Sequence, residues 1–301
     1  MDILITGGTG FIGKSLCARL QKSGHRLTVL SRKPDQVSRL CGAGCRGIGS
    51  LKELDDSSHF DAIINLSGES IAGRRWSERR KAVLRESRIK VTRGILEWIE
   101  RSQSKAKVLI SGSAIGYYGD QGDCELLESS PPSDDFGHRL CAEWEAAAQK
   151  AEELGLRVCL IRIGLVIGAG GGFLQPMLIP FKFGFGGPIA DGRQWMSWIQ
   201  REDLIGIIQR LLDDATIRGP VNATAPNPVI NRDFTQTLAR ILRRPALLPL
   251  PRFVLALLLG EMSTLLTGGQ RVLPGRLLDA GFEFRYPELE GALREALDRL
   301  Q

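Results

Sequence analysis

Asp2-Ile-Leu-Ile-Thr-Gly-Gly-Thr-Gly-Phe-Ile-Gly13 joins a short apolar run to a glycine-rich turn, and Ile12 to Lys22 continue it with helical period. A glycine-rich turn by itself is a weak signal; an apolar strand directly before it and an amphipathic helix directly after it make it a strong one. Gly7, Gly10 and Gly13 fall where a backbone must turn tightly and come close to a pyrophosphate, whose charge then meets the free N–H groups of a helix N-terminus. The stretch therefore reads as a dinucleotide-binding site, with Phe11 and Ile12 at the helix start beside the glycines. Two residues separate each pair of glycines, a departure from the usual G-x-G-x-x-G.

Working outward, the next apolar run, Leu27 to Leu30, ends where a carboxylate would accept hydrogen bonds from the ribose hydroxyls of NAD. Here that place holds Ser31, followed by Arg32 and Lys33. A hydroxyl and two cations suit a 2′-phosphate instead, and a planar guanidinium can also stack on adenine. The expected cofactor is NADP(H), with Ser31 and Arg32 as its phosphate contacts.

The same alternation continues along the chain. Ile3 to Ile5, Leu27 to Leu30, Ala62 to Leu66, Val108 to Ser111 and Val158 to Ile163 read as strands, while Ile12 to Lys22, Glu78 to Ser102 and Phe136 to Leu154 read as helices. Two of these helices stop at a glycine, Gly24 and Gly155. Short strands between long helices specify an α/β fold, a Rossmann-type doubly wound parallel sheet. Residues 1–168 are expected to form the cofactor-binding domain, with a further contribution to sheet and helix near 200–225. Residues 169–301 are expected to supply substrate-side loops and a smaller, mostly helical C-terminal lobe, since glycine and proline crowd Ala169 to Gly192 and the sequence turns helical after Val229, ending in an amphipathic helix near Pro287 to Leu300.

Composition narrows the partners. The chain has 301 residues, 43% of them hydrophobic, and a net charge of +6 with pI near 9.1, yet its cations are interleaved with acids rather than gathered in a block. That pattern favours small anionic ligands over nucleic acid. Phe253 to Leu259 is far shorter than the roughly 20 apolar residues of a spanning helix and reads as a core or interdomain helix, so no membrane partner is expected. No charged leader precedes Ile3, and cytoplasmic residence is expected. The six cysteines show no ligand spacing for a metal; Cys41 and Cys45 read as surface or half-buried thiols.

Taken together, Gly7 to Gly13, Ser31-Arg-Lys-Pro34, Asn65-Leu-Ser-Gly-Glu69, Glu86-Ser-Arg88, Ser111-Gly-Ser-Ala-Ile-Gly-Tyr-Tyr-Gly119, Gly186-Gly-Pro188 and Gly268-Gly-Gln-Arg271 resemble the extended short-chain dehydrogenase/reductases. The likeness is closest to an atypical, YfcH-like subgroup called epimerase family proteins, which carry a C-terminal domain of unknown function. The resemblance implies that Leu66, Ser67 and Gly68 pass beside the pyrophosphate and ribose, that Arg88 helps hold the cofactor and that Val166 lies near the nicotinamide. It also implies a mechanism this chain does not carry. The parent family moves its proton with a Tyr assisted by a Lys four residues later, and the matching helix here has Phe136 and Leu140.

Ser113 matches the serine that would bond a substrate oxygen, and Tyr117 and Tyr118 offer two phenols one loop away. The segment is one residue longer than the usual version, and its spacing leaves open which tyrosine faces the nicotinamide. His138 and Arg139 could supply a proton or positive charge. Arg74, Arg75, Trp76, Lys182, Arg193, Trp195 and Trp198 would suit an anionic or nucleotide-bearing ligand, and equally a packed lobe with a solvated rim. Asp203 reads as a cap of the helix that follows it. These features point to an NADP(H)-dependent oxidoreductase or epimerase-like enzyme acting on an unidentified small molecule, or alternatively to a non-catalytic NADP(H)-binding sensor.

Overall fold

Ile3, Leu4, Ile5, Ile63 and Ile64 have no exposed surface, a condition that strands meet when helices cover both faces of their sheet. The computed structural model describes residues 1–55, 57–102 and 106–300. Its first half runs β1 (Asp2–Thr6), α1 (Phe11–Lys22), β2 (Arg26–Leu30), α2 (Val37–Cys41), β3 (Cys45–Ile48), β4 (Ala62–Asn65), α3 (Glu78–Ser102), β5 (Val108–Ala114), β6 (Glu125–Leu126) and α4 (Phe136–Gln149). It continues through β7 (Arg157–Ile163), β8 (Leu165–Ile167), α5 (Leu174–Lys182), β9 (Trp195–Met196), β10 (Trp198–Gln200), α6 (Arg201–Asp213), β11 (Gly219–Ala223) and β12 (Val229–Ile230). The last part is helical, α7 (Asn231–Leu242), α8 (Arg252–Leu259) and α9 (Thr264–Thr267), then β13 (Arg271–Val272), α10 (Gly275–Asp279) and α11 (Leu289–Asp298).

Seven parallel strands form the main sheet in the order β11-β7-β5-β4-β1-β2-β3. The order reverses at β1, which pairs with β2 on one side and β4 on the other, and its last residue, Thr6, lies level with Leu30 and Asn65. Three strand ends thus open onto one crevice, the place where open α/β sheets take their ligands. Helices α1 and α6 bury Leu16, Leu20, Leu204, Ile207 and Ile208 against one face of the sheet. Ile95, Trp98 and Ile99 of α3 and Ala148 of α4 pack on the other. A third cluster, with Trp198, Phe234, Leu238 and Leu293, lies beneath the helical lobe.

The fold is the expected Rossmann-type sheet, and the departures are local. Leu66 has left the strand to pass under Gly7, β5 runs three residues past Ser111, and α4 gives way at Lys150 to a 3-10 turn. Gly24 and Gly155 take left-handed φ of +81° and +83°, which stops both helices where a side chain would be strained. Strand β3 was not expected at all. Cys41 and Cys45 are buried, not superficial: together with Cys17 they pack behind Gly8, where burial pushes every one of these thiols up, that of Cys45 to about 11. Among the described residues no helix is long and apolar enough to cross a membrane. Helix α8 is nevertheless no core element, because only Leu255 of its eight residues is buried.

Candidate functional site

The turn between β1 and α1, Gly7-Gly8-Thr9-Gly10, carries a single side chain, that of Thr9. Gly7 has φ +73°, and a Cβ there would lie 2.5 Å from Leu66 O. One on Gly13 would lie 2.3 Å from Gly7 O. Glycine at both places lets the turn pack directly on the exit of β4 and on the start of α1. Gly10 N donates to Gly7 O at 3.0 Å to close it. The helix then begins with no side-chain cap and no acid in its first turn, which leaves its N–H groups and positive dipole end uncompensated. These observations meet the requirements of a dinucleotide diphosphate.

The neighbouring loop is pinned from below. Asn65 accepts from Thr6 Oγ1 at 2.6 Å and donates to Thr92 Oγ1 at 2.9 Å, which fixes the exit of β4 and the path of Leu66, Ser67 and Gly68. Arg88 lies against Gly68, donates to the carbonyls of Leu84 and Glu69, and stacks 5.2 Å from the Trp144 ring. Burial pulls its guanidinium below the usual arginine range. One terminal nitrogen thus braces the loop that β4 feeds, while the other holds the side chain to its own helix, α3.

Arg32 stands at the end of β2 with its side chain 91% exposed, donating to Glu69 Oε1 at 3.0 Å. That hydrogen bond, with help from Arg80 at 3.5 Å, holds the Glu69 carboxyl below the usual carboxylate range. Ser31 Oγ accepts from Lys33 N. The sequence reading had no role for Glu69, although it lies in a quoted motif. Val166 is buried beside the Phe11 ring, which Gly168, Gly171 and Gly172 cover so closely that a Cβ on Gly172 would lie 2.7 Å from it.

The catalytic candidates fare unequally. Ser113 donates to Glu145 Oε1 at 2.6 Å, Glu145 forms a two-pronged pair with Arg162 at 2.9 Å, and Arg162 donates to Tyr118 Oη, also at 2.9 Å. Tyr118 in turn donates to Asn222 Oδ1 at 2.7 Å and has no exposed surface. Burial raises its phenol above the usual range. For Arg162, burial pulls the guanidinium down, but Glu145 outweighs that and the net shift is upward. Tyr118 is thus corrected from acid/base candidate to member of a buried network, and Ser113 has already committed its proton to Glu145. Tyr117 is different: half-buried, its ring centre 3.4 Å from the Arg162 guanidinium carbon, its hydroxyl without a hydrogen bond among the described residues. His138 meets the Tyr117 carbonyl through Nδ1 at 2.8 Å; a carbonyl only accepts, so Nδ1 carries a proton in this contact.

Phe136, which replaces the usual tyrosine, is packed edge-on by Trp76 at 4.8 Å and lies under Lys81 Nζ at 5.2 Å. Trp198 is fully buried, with Nε1 on Asn227 O, and is no ligand contact. Asp203 does not cap its helix. Its carboxylate accepts from the backbone N–H groups of Arg285 and Tyr286, 82 and 83 residues on. Arg193 and Trp195 do reach a concavity, a cleft of about 640 Å³ that also takes in Asp120, Asp123, Asp191 and Arg252. Trp195 is fixed there by Asp123 at 2.7 Å and by Arg271 over its ring.

Comparison with known proteins fits this geometry. Residues 3–223 match the model of the NAD dependent epimerase/dehydratase family, and residues 250–296 match a domain of unknown function, DUF1731. The epimerase family protein YfhF of Bacillus subtilis is 40% identical over 300 residues, covering 99% of this chain and 98% of that one. The human epimerase family protein SDR39U1 is 36% identical over 301 residues, covering 98% of this chain and 99% of that one. A crystal structure of human SDR39U1 (isoform 2) with NADPH superposes with a TM-score of 0.88, covering all of both chains. A UDP-galactose 4-epimerase structure, 18% identical with a TM-score of 0.75 and covering 99% of each chain, shares the fold.

Proposed function

The chain belongs to the NAD dependent epimerase/dehydratase family, and from that premise we propose that it is an NADP(H)-dependent oxidoreductase or epimerase-like enzyme working on a small molecule held in the cleft, in the cytoplasm. The observation that carries this reading is the glycine turn at Gly7, Gly10 and Gly13, with Ser31 where an NAD enzyme keeps its acid and Arg32 next to it. The NADPH in the human relative's crystal supports it.

In this reading Gly7, Gly10 and Gly13 bring backbone up to the pyrophosphate, with Phe11 and Ile12 contributing N–H groups of the helix start. Ser31 and Arg32 receive the 2′-phosphate. Leu66, Ser67 and Gly68 line the ribose, Arg88 holds their loop in place, and Val166 walls the nicotinamide. NADP(H), when bound, supplies a hydride donor or acceptor. Tyr117 moves the proton to or from the substrate oxygen, because its hydroxyl is the one of the two phenols with no hydrogen bond among the described residues. Ser113, having donated to Glu145, retains lone pairs with which to accept from a substrate hydroxyl. Assaying purified protein for NADPH oxidation over a panel of carbonyl compounds tests this directly: turnover that Tyr117→Phe abolishes is expected.

A second reading, an NADP(H)-binding sensor without turnover, is favoured by one observation. Phe136 and Leu140 carry no proton, and Trp76 covers the former. NADPH binding with no oxidation by any carbonyl tested, unchanged in Tyr117→Phe, would select it.

A further inference from the structure

Segments 173–190 and 243–260 contain no aspartate or glutamate between them. They lie side by side: Leu248 N donates to Gly186 O, Leu250 N to Pro188 O, and Ala190 N to Leu250 O at 2.9 Å. Between them they hold outward the largest exposed apolar side chains of the described residues. Phe183 is 73% exposed, Leu247 80%, Phe253 73% and Leu257 75%, with Phe185 and Leu258 beside them. Helix α8 shows why this is no accident of a frayed loop. Leu255 anchors it inward, and Phe253 and Leu257, one turn apart on the opposite side, point away from the protein. Lys182, Arg243, Arg244 and Arg252 accompany this surface.

We propose that this surface docks the protein on an anionic phospholipid membrane. Aliphatic and aromatic side chains with interspersed cations match an interface that offers acyl chains below a layer of phosphate. The charge selects this occupant over a second copy of the chain. A two-fold contact would set the same cations against themselves, and neither segment contributes an acid to pair them. The sequence reading excluded a membrane partner because Phe253 to Leu259 is too short to span; lying flat on the surface needs no such length.

Co-sedimentation of the full chain with vesicles tests it. Binding is expected to phosphatidylglycerol/phosphatidylcholine vesicles, weakening with salt, and not to phosphatidylcholine alone. Phe253→Asp with Leu257→Asp should abolish it. Lys182→Gln, Arg243→Gln and Arg244→Gln together should weaken it on the order of a hundredfold. NADPH affinity and the unfolding midpoint, both unchanged in these variants, would show that the fold survives. Failure to bind anionic vesicles overturns the proposal, as does equal binding to both vesicle types. Self-association in solution that the Asp pair disrupts, without vesicle binding, overturns it in favour of a second copy.

Discussion

Arg32→Ala should separate the two nicotinamide cofactors. In the structure the Arg32 guanidinium is 91% exposed and bonded to Glu69 at 3.0 Å. To hold a 2′-phosphate it exchanges one anion for another, so the gain is the difference between the two pairings. Charge-assisted hydrogen bonds are worth about 1.5–3 kcal/mol each, but exposure and salt screen this one toward the lower end. Loss of about 1.4 kcal/mol makes NADPH bind on the order of tenfold more weakly. NADH carries no phosphate there and should be unaffected. Glu69→Gln makes the complementary case, since removal of the competing carboxylate should strengthen NADPH binding on the order of threefold with no effect on NADH. Titration of nicotinamide fluorescence reads all four combinations. Equal weakening of both cofactors by Arg32→Ala, or an unaltered protein that binds NADH as tightly as NADPH, would refute the reasoning.

Gly13→Ala forces a Cβ to within 2.3 Å of Gly7 O; it should cost about 1–3 kcal/mol of stability in urea unfolding and remove NADPH binding. Glu145→Gln strands the buried Arg162 charge and should cost about 3–5 kcal/mol in the same assay. Tyr117→Phe should leave the melting temperature unchanged and lower turnover at least about a hundredfold, whereas Tyr118→Phe should cost about 1–3 kcal/mol of stability by orphaning Asn222. Burial raises the Asp203 carboxyl from 3.8; a raised folded value favours the protonated form, so its contribution is greatest below pH 3.8 and declines as pH rises through the folded value. Asp203→Asn should flatten the stability curve across that window.

The sheet was legible because each strand is a short apolar run and each helix keeps its period between them. Ile3 to Ile5 and Ala62 to Ile64 have no polar residue to confuse the reading. The cofactor turn was legible for a related reason: glycine at Gly7 and Gly13 answers a local steric demand. The network around Tyr118 was not, because it is assembled by contacts 44 and 104 residues apart in sequence. One trace existed, Arg162 inside the apolar run Val158 to Ile163, since a charge so placed requires a buried partner. Nor did periodicity reveal that α8 faces outward, for an apolar helix reads the same whether it covers a core or leaves one.

Asp203 joins the first turn of α6 to backbone more than eighty residues later, while Leu277, Phe282 and Phe284 pack into the same cluster as Ile207 and Ile208. The late part of the chain is thereby a structural member of the sheet's own core. Chain synthesis through residue 168 leaves β11 and these partners unmade, so the nascent sheet has no opportunity to reach its final stability before the C-terminal helices emerge. Hydrogen exchange in the finished protein should accordingly show β7 and α6 opening together with segment 275–286, as one cooperative unit.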